Sequence, residues 1–286
     1  MEVKTGSDDS SPLLPGVRFA ALERLLVLGA AMALYIVFFA VELSNQIASA
    51  AVHLTGSDTF AQATHRGFGE MIVAAVLCAM VIITLEQHAL RRERERGVRL
   101  LAWGVIAASL IIVGSAYLRV RYYEGAYGYT EQRLFVQVIC GLVSLALLSL
   151  AVQLRCAIDI PRLIRHAALI AIGCVASLSY WNHAAWIVEA NVARYQETGK
   201  VDVAYLERLA RSSPDAIPAL VTALPKLAPP DAAHVRESLR HGAVNRSLLL
   251  PPRTTGGLSW YEWSLRRAAA HTVLHAAGLL DETAAR

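Results

Sequence analysis

The stretch LFVQVICGLVSLALLSLAVQL, which runs from Leu134 to Leu154, contains no charged side chain. A helix rises about 1.5 Å per residue, so roughly 20 apolar residues span the hydrocarbon core of a bilayer. The first two-thirds of the chain holds four further apolar stretches of similar length: Leu25–Ala48, Gly67–Leu85, Leu100–Leu118 and Ala167–Val188. The sequence therefore predicts five membrane-spanning helices.

The composition agrees with a membrane protein. Only 17% of the 286 residues are charged, and the mean hydropathy is +0.42, whereas a soluble domain carries roughly a quarter charged residues. From Glu189 onward the chain is more polar, with short amphipathic patterns separated by Pro and Gly and no strand pattern. We expect an all-α fold: a polytopic membrane helix bundle of about five spans followed by a small helical domain. The predicted boundaries are a disordered N-terminus over 1–20, the bundle over 21–188 and the C-terminal domain over 189–286.

Basic residues lie unevenly around the spans, which predicts the orientation because Lys and Arg near span ends favour the cytoplasm. One side holds Lys4, Arg18, Arg24, Arg91, Arg92, Arg94, Arg96, Arg99, Arg155, Arg162 and Arg165. The other side holds Arg66, Arg119, Arg121 and Arg133. The N-terminus is therefore predicted to be cytoplasmic and, with five spans, the C-terminal domain extracytoplasmic.

Unusual polar residues gather at the outer end of these spans and at the start of the C-terminal domain. The predicted cluster comprises Glu42, Arg66, Glu70, Arg121, Glu124, Tyr127, Arg133, Asn182, Glu189, Asn191, Arg194 and Tyr195. Charged groups at membrane depth usually face a protein interior or a wet cavity. Three interpretations stay open: a paired network that holds the bundle together, an outward-facing pocket for a ligand, ion or lipid headgroup, and a proton or ion path.

The C-terminal region contains several helix start and stop signals. The fifth span is expected to continue as a helix to Glu197, with Gly199 as its stop, and Asp202 is expected to cap the next helix. Ser213-Pro214 and Pro229-Pro230-Asp231 are further predicted starts, Gly242 is a predicted stop, and Ser259–Glu262 forms a capping box.

Motifs that would identify a catalytic or cofactor chemistry are missing from the sequence. It contains no GxGxxG, GxxxxGK[ST], HExxH, GxSxG or CxxC pattern. We therefore predict no cofactor and no metal site, and we expect His183 to pack at the membrane interface. Basic residues are not interleaved with aromatic residues on an aqueous surface, so no nucleic-acid partner is expected.

Several stretches match the motifs of a known family in residue type and in order. They are Thr59–Glu70, Arg121–Arg133, Asn182, Ile187–Tyr195, Gly199–Leu206 and Asp215–Leu220. On these stretches the chain resembles a bacterial integral-membrane family known as domain of unknown function 4173, which is related to 4153. Relatives tend to have Pro where this chain has His183, and Asn where it has Ser264. The resemblance implies the same membrane architecture in a bacterial inner membrane, and it implies no activity.

The predicted function is non-enzymatic: a sensor component, or an accessory or structural subunit of a membrane complex. The expected partners are the lipid bilayer and other membrane-complex subunits. One alternative is an enzyme that acts on a lipid-linked substrate at the outer face, with Glu42, Glu70, Glu124 and Glu131 as acid and base. Another is a component of a transporter.

Overall fold

The computed structural model describes residues 19–53, 68–89, 96–155, 158–244 and 265–279. Within these ranges the chain forms the helices α1 (Ala21–His53), α2 (Phe68–Gln87), α3 (Arg96–Tyr127), α4 (Glu131–Gln153), α5 (Ile160–Tyr180), α6 (His183–Thr198), α7 (Val203–Ser212), α8 (Ile217–Ala223), α9 (Pro229–Val244) and α10 (Leu265–Ala276). Short 3-10 turns, Pro214–Ala216 and Leu224–Lys226, flank α8. These ranges contain no strand, only an isolated bridge between Phe19 and Ala89. The predicted all-α fold is confirmed.

Four of the described helices are long and apolar enough to cross a membrane. They are the Ala21–Val41 part of α1 and the helices α3, α4 and α5. The apolar part of α2, Met71–Gln87, is shorter than this. The described chain is therefore helical and contains four helices that suit a membrane. That α2 is a further span stays a prediction.

The predicted fifth span, Ala167–Val188, is wrong in its bounds. Helix α5 begins earlier, at Ile160, and ends at Tyr180, and α6 starts separately at His183. The break occurs at Asn182, whose side-chain oxygen accepts a hydrogen bond from the backbone N of Ala185 at 3.0 Å. An asparagine side chain that binds the backbone in this way starts a new helix instead of continuing the old one.

The chain divides into two compact units. The first holds the described residues up to Arg119 together with Gln137–Cys174, and the second holds Val120–Val136 together with the described residues from Val175 onward. In the first unit, α1 to α4 share an apolar core that includes Leu28, Ile82, Ile106, Ile112 and Leu150. Each of these side chains is essentially excluded from solvent.

Polar contacts inside the first unit tie its helices together. Arg24, which is buried, forms an ion pair with Glu86, and Phe19 N donates to His88 O at 2.8 Å. The hydroxyls of Tyr35 and Ser109 are hydrogen-bonded at 2.7 Å in the buried interior. The buried guanidinium of Arg24 on α1 thus finds its acidic partner on α2, 62 residues away in the sequence.

The second unit contains a separate core built by α6 to α10. Helix α7 shows why the sequence folds this way: Leu206, Leu209 and Ala210 recur at helical spacing and all three are buried. They pack in one cluster with Ile217 and Leu239 of neighbouring helices. Burying a leucine or isoleucine side chain contributes about 1.5–3 kcal/mol, so this cluster accounts for much of the stability of the domain.

Most of the local helix signals in this region are confirmed. Gly199 ends α6 with φ +68°, and Asp202 caps α7 by accepting from Tyr205 N at 3.0 Å. Pro229 begins α9 as predicted. Gly242 does not end that helix, which runs on to Val244, because an interior glycine costs only about 1 kcal/mol. The capping box Ser259–Glu262 and the predicted disordered residues 1–18 lie outside the described residues.

Candidate functional site: a polar clamp at the turn between α3 and α4

The turn from α3 to α4 is the centre of the polar residues that the structure brings together. Helix α3 ends at Tyr127, and Gly128 follows with φ +87°, its backbone N donating to Glu124 O at 2.8 Å. Helix α4 begins at Glu131 after Thr130, whose hydroxyl accepts from Arg133 N at 3.4 Å. Between the helices, Gly128 and Thr130 keep backbone hydrogen bonds to α3 and α4, whereas the backbone groups of Tyr129 bind neither helix.

Asn191 of α6 satisfies the backbone of this turn. Its Oδ1 accepts from Tyr129 N and its Nδ2 donates to Tyr129 O, both at 2.8 Å. Only 7% of Asn191 is exposed. A Cβ placed on Gly128 would lie 2.5 Å from Asn191 Oδ1. Glycine is therefore required at this position both for its positive φ and for the close approach of the amide.

Arg194 lies one turn further along α6 and binds the C-terminal end of α3. Its Nε donates to Gly125 O at 2.8 Å, and its Nη2 donates to Ala126 O. Its Nη1 donates to Lys200 O at 3.1 Å. The last carbonyl groups of a helix carry partial negative charge, so a guanidinium is favourable there.

An ion pair and a cation–π contact lie on α3 and α4 at the same turn. Arg121 Nη1 lies 3.2 Å from Glu124 Oε2, and Glu124 is only 1% exposed whereas the Arg121 side chain is 45% exposed. Arg133 donates to Gly128 O, and its guanidinium carbon lies 4.6 Å from the ring centre of Tyr123. Arg121 thus pairs with Glu124 within α3, and Arg133 binds a carbonyl and a ring.

Tyr205 connects the turn to α7, and Tyr195 and Asn182 connect α6 to other parts of the helical domain. Tyr205 of α7 accepts a hydrogen bond from Glu131 N at 2.8 Å. Tyr195 accepts from Ala228 N at 3.2 Å, and Asn182 donates to Asp215 O at 3.1 Å. Burial raises the pKa of Tyr205, so its hydroxyl stays neutral at physiological pH. We name the contacts of Asn191, Arg194 and Tyr205 with residues 125–131 the turn clamp.

Aromatic rings pack beside the turn clamp. Tyr129 meets Trp186 edge to face at 5.3 Å between ring centres, and Trp186 lies 5.4 Å from Trp181. His183 packs against Phe135 at 5.9 Å. In the part of the chain that the structure describes, no group of three His, Cys, Asp or Glu side chains is close enough to hold a metal ion.

The predicted polar cluster is therefore only partly assembled. The predicted residues that lie at the turn are Arg121, Glu124, Arg133, Asn191 and Arg194. Asn182 and Tyr195 instead bind Asp215 O and Ala228 N elsewhere in the helical domain. Tyr127 is 49% exposed and packs on Tyr123 at 4.5 Å. Glu189 is exposed and is not among the residues that bind the turn. Arg66 and the side chains of Glu42 and Glu70 lie outside the described residues.

Gly128 and Tyr205 are among the residues of the turn clamp that were not predicted as site residues. Gly128 had a local signal, because glycine directly after an apolar helix often adopts positive φ. Tyr205 lies 74 residues from its partner Glu131, and nothing in the local pattern around either residue signals that contact.

The chemistry available at the turn clamp is hydrogen bonding to main-chain groups. Both functional groups of Asn191 and three nitrogen atoms of Arg194 bind backbone atoms. These side chains fix α6 and α7 to the end of the α3–α4 hairpin. The carboxylate of Glu124 is the clearest titratable group beside them.

We expect Gly128→Ala to destabilise the protein, because alanine at positive φ costs about 1–2 kcal/mol and its methyl group would also displace Asn191. Gly125→Ala is the matched control: a Cβ there has no heavy atom within 4 Å, and alanine is preferred in a helix by roughly 0.5–1 kcal/mol. The apparent melting temperature of the full chain in detergent should fall for the first variant and stay equal or rise for the second. Equal melting temperatures would contradict the role given to Gly128.

Comparison with known proteins assigns a family without a described activity. One family model, described as Domain of unknown function (DUF4153), matches residues 3–223. Its number is 4153, and the number predicted from the sequence, 4173, is that of a related but different family. No curated protein and no solved structure matches the chain. Since the match covers well over half of its 286 residues, the chain belongs to the DUF4153 family.

Proposed function

We propose that this protein is a non-enzymatic, multi-pass protein of the bacterial inner membrane that serves as an accessory or structural subunit of a membrane complex. The observation that carries the proposal is the use of the polar residues. Asn191 and Arg194 direct all of their described hydrogen bonds at main-chain atoms. A binding or catalytic site needs groups that remain free for a substrate, whereas groups bound to the backbone serve the architecture.

A second observation favours a place among other membrane subunits. Helix α5 is long and apolar enough to span a membrane, yet none of its 21 residues is buried within the chain. Helix α3, in contrast, has 44% of its most apolar window buried. Lipid covers such a helix in an isolated protein, and the helix of another subunit covers it in a complex. Small residues such as Ala168 and Ala171 would let a second helix approach closely.

A sensor component is the second form of the same proposal. The turn clamp joins α6 and α7 to the end of the α3–α4 hairpin through hydrogen bonds on both sides of the turn. A rigid joint of this kind would transmit a displacement of the helical domain to the hairpin. The polar character of the chain after Glu189 suits a domain exposed to an aqueous compartment.

The proposed orientation has the N-terminus in the cytoplasm and the helical domain outside the cytoplasmic membrane. Its support is the excess of Lys and Arg beside one set of span ends. In the same proposal, the chain leaves the membrane at the end of α5 and continues into α6.

One specific observation favours the alternative of an enzyme acting on a lipid-linked substrate. Glu124 is a buried carboxylate at the end of α3, and a buried carboxylate is a candidate acid or base. Its ion pair with Arg121 gives it a structural explanation as well, so the two roles need separate tests.

Cysteine labelling tests the orientation. In a background where Cys78, Cys140, Cys156 and Cys174 are replaced by alanine, Lys200→Cys should react with a membrane-impermeant maleimide in intact cells. Arg96→Cys should react only after lysis. Both positions are exposed, so a difference in their labelling reports the compartment. The reverse labelling pattern would overturn the proposed orientation.

Purification from native membranes in a mild detergent tests the subunit role. We expect the tagged chain to elute as a stoichiometric assembly, and Ala171→Trp to weaken that assembly while the chain's own melting temperature stays unchanged. Val37→Trp, at an exposed position of α1, serves as the control for a bulky ring in lipid. A chain that is always monomeric and alone would count against the proposal.

The variant Glu124→Gln separates the structural role from the catalytic one. If the carboxylate is structural, the variant loses an ion pair at a buried site and should lower the apparent stability by about 1–3 kcal/mol. Glu189→Gln, at an exposed carboxylate of the same unit, should leave stability unchanged. A Glu124→Gln variant that melts like the parent chain yet fails to complement a deletion strain would favour the enzyme.

A further inference from the structure

A pocket in the helical domain is separate from the turn clamp. It has a volume of about 430 Å³ and lies between α8, α9 and the end of α10. Its apolar wall is formed by Val221, Leu224 and Leu279, and the last two are buried. Pockets of roughly 300–1,000 Å³ commonly hold small molecules, so the volume suits a compact organic ligand.

Two arginines of α9, Arg236 and Arg240, line the other side of the pocket. They are four residues apart, which places both guanidinium groups on one face of the helix. Like charges at this spacing repel each other. The pocket thus presents a doubly positive edge beside an apolar wall.

Neither guanidinium has an acidic partner among the residues that the structure describes. Glu237, the nearest carboxylate in the sequence, pairs with His241 at 2.9 Å. Glu207 of α7 pairs with Arg211 at 3.3 Å and with His234 at 3.8 Å. Glu237 of α9 and Glu207 of α7 are therefore directed to other basic groups. This differs from the turn clamp, where the arginines bind carbonyl oxygens of the chain itself.

We propose that this pocket binds an organic phosphate monoester with an apolar substituent. A phosphate monoester carries close to two negative charges at neutral pH, which matches the two guanidinium groups, and guanidinium binds phosphate oxygens with paired hydrogen bonds. The apolar substituent would lie on Leu224 and Leu279. The site does not depend on the proposed subunit role or on the orientation in the membrane.

Hexyl phosphate is a suitable probe because it is water-soluble and combines the two chemical features. Its binding to the full chain in a neutral detergent would be measured by isothermal titration calorimetry. We expect saturable binding, with hexanol and inorganic phosphate each weaker by about tenfold or more, since each lacks one half of the recognition. Inorganic phosphate binding as tightly as hexyl phosphate would overturn the assignment of an apolar substituent.

Arginine variants test the charged half of the site. Arg236→Gln and Arg240→Gln should each weaken hexyl phosphate binding by about tenfold, and the double variant more. Arg208→Gln is the matched control, because Arg208 is an exposed arginine of the same domain that does not line the pocket. Melting temperatures would show that all variants fold. Binding that survives in the double variant, or that falls equally in Arg208→Gln, would overturn the proposal.

Discussion

The backbone at the end of α3 imposes the constraint on which the second unit depends. A helix leaves its last carbonyl groups without partners, and the turn adds the backbone groups of Tyr129, which bind neither α3 nor α4. Here the partners come from α6: Asn191 binds both backbone groups of Tyr129, and Arg194 binds the carbonyls of Gly125 and Ala126. The Asn191 contacts are partly buried, and a buried main-chain group without a partner costs about 1–3 kcal/mol, so α6 stabilises the end of the hairpin.

The same constraint explains the residues around the turn. Gly128 is needed because the Asn191 amide approaches where a side chain would begin. Tyr205 fits because its hydroxyl oxygen accepts a hydrogen bond from Glu131 N, and burial raises its pKa further above the ordinary range. The break at Asn182 is also part of this arrangement. Asn182 starts α6 by accepting a hydrogen bond from Ala185 N, and its side chain also donates to Asp215 O. Helix α6 then carries Asn191 and Arg194, which bind the turn.

Local features of this structure were predictable from the sequence, and distant contacts were not. The apolar stretches, the Asp202 cap and the Gly199 stop depend on residues within one or two turns, so their patterns are visible in a single sequence. The break at Asn182 was missed because apolar residues such as Trp181 and Ala184 lie on both sides of it, so the hydropathy pattern does not show where one helix ends and the next begins. The ion pair of Arg24 with Glu86 and the contact of Arg194 with Gly125 join residues 62 and 69 positions apart, and residue type alone does not say which arginine meets which partner.

The arginines of the second unit fall into two groups with different physical consequences. Arg133 and Arg194 bind carbonyl oxygens, so their hydrogen-bonding capacity is used inside the chain and they act as part of the framework. Arg236 and Arg240 face a pocket, lie close enough to repel each other and have no acidic partner in the described part of the chain. A single ion pair at an exposed site contributes little free energy. One amphiphilic anion at this pocket would neutralise two guanidinium groups and would also contact the apolar wall. The turn clamp holds more polar residues, but they bind the chain's own backbone, whereas the arginines of the pocket are the ones directed toward a ligand.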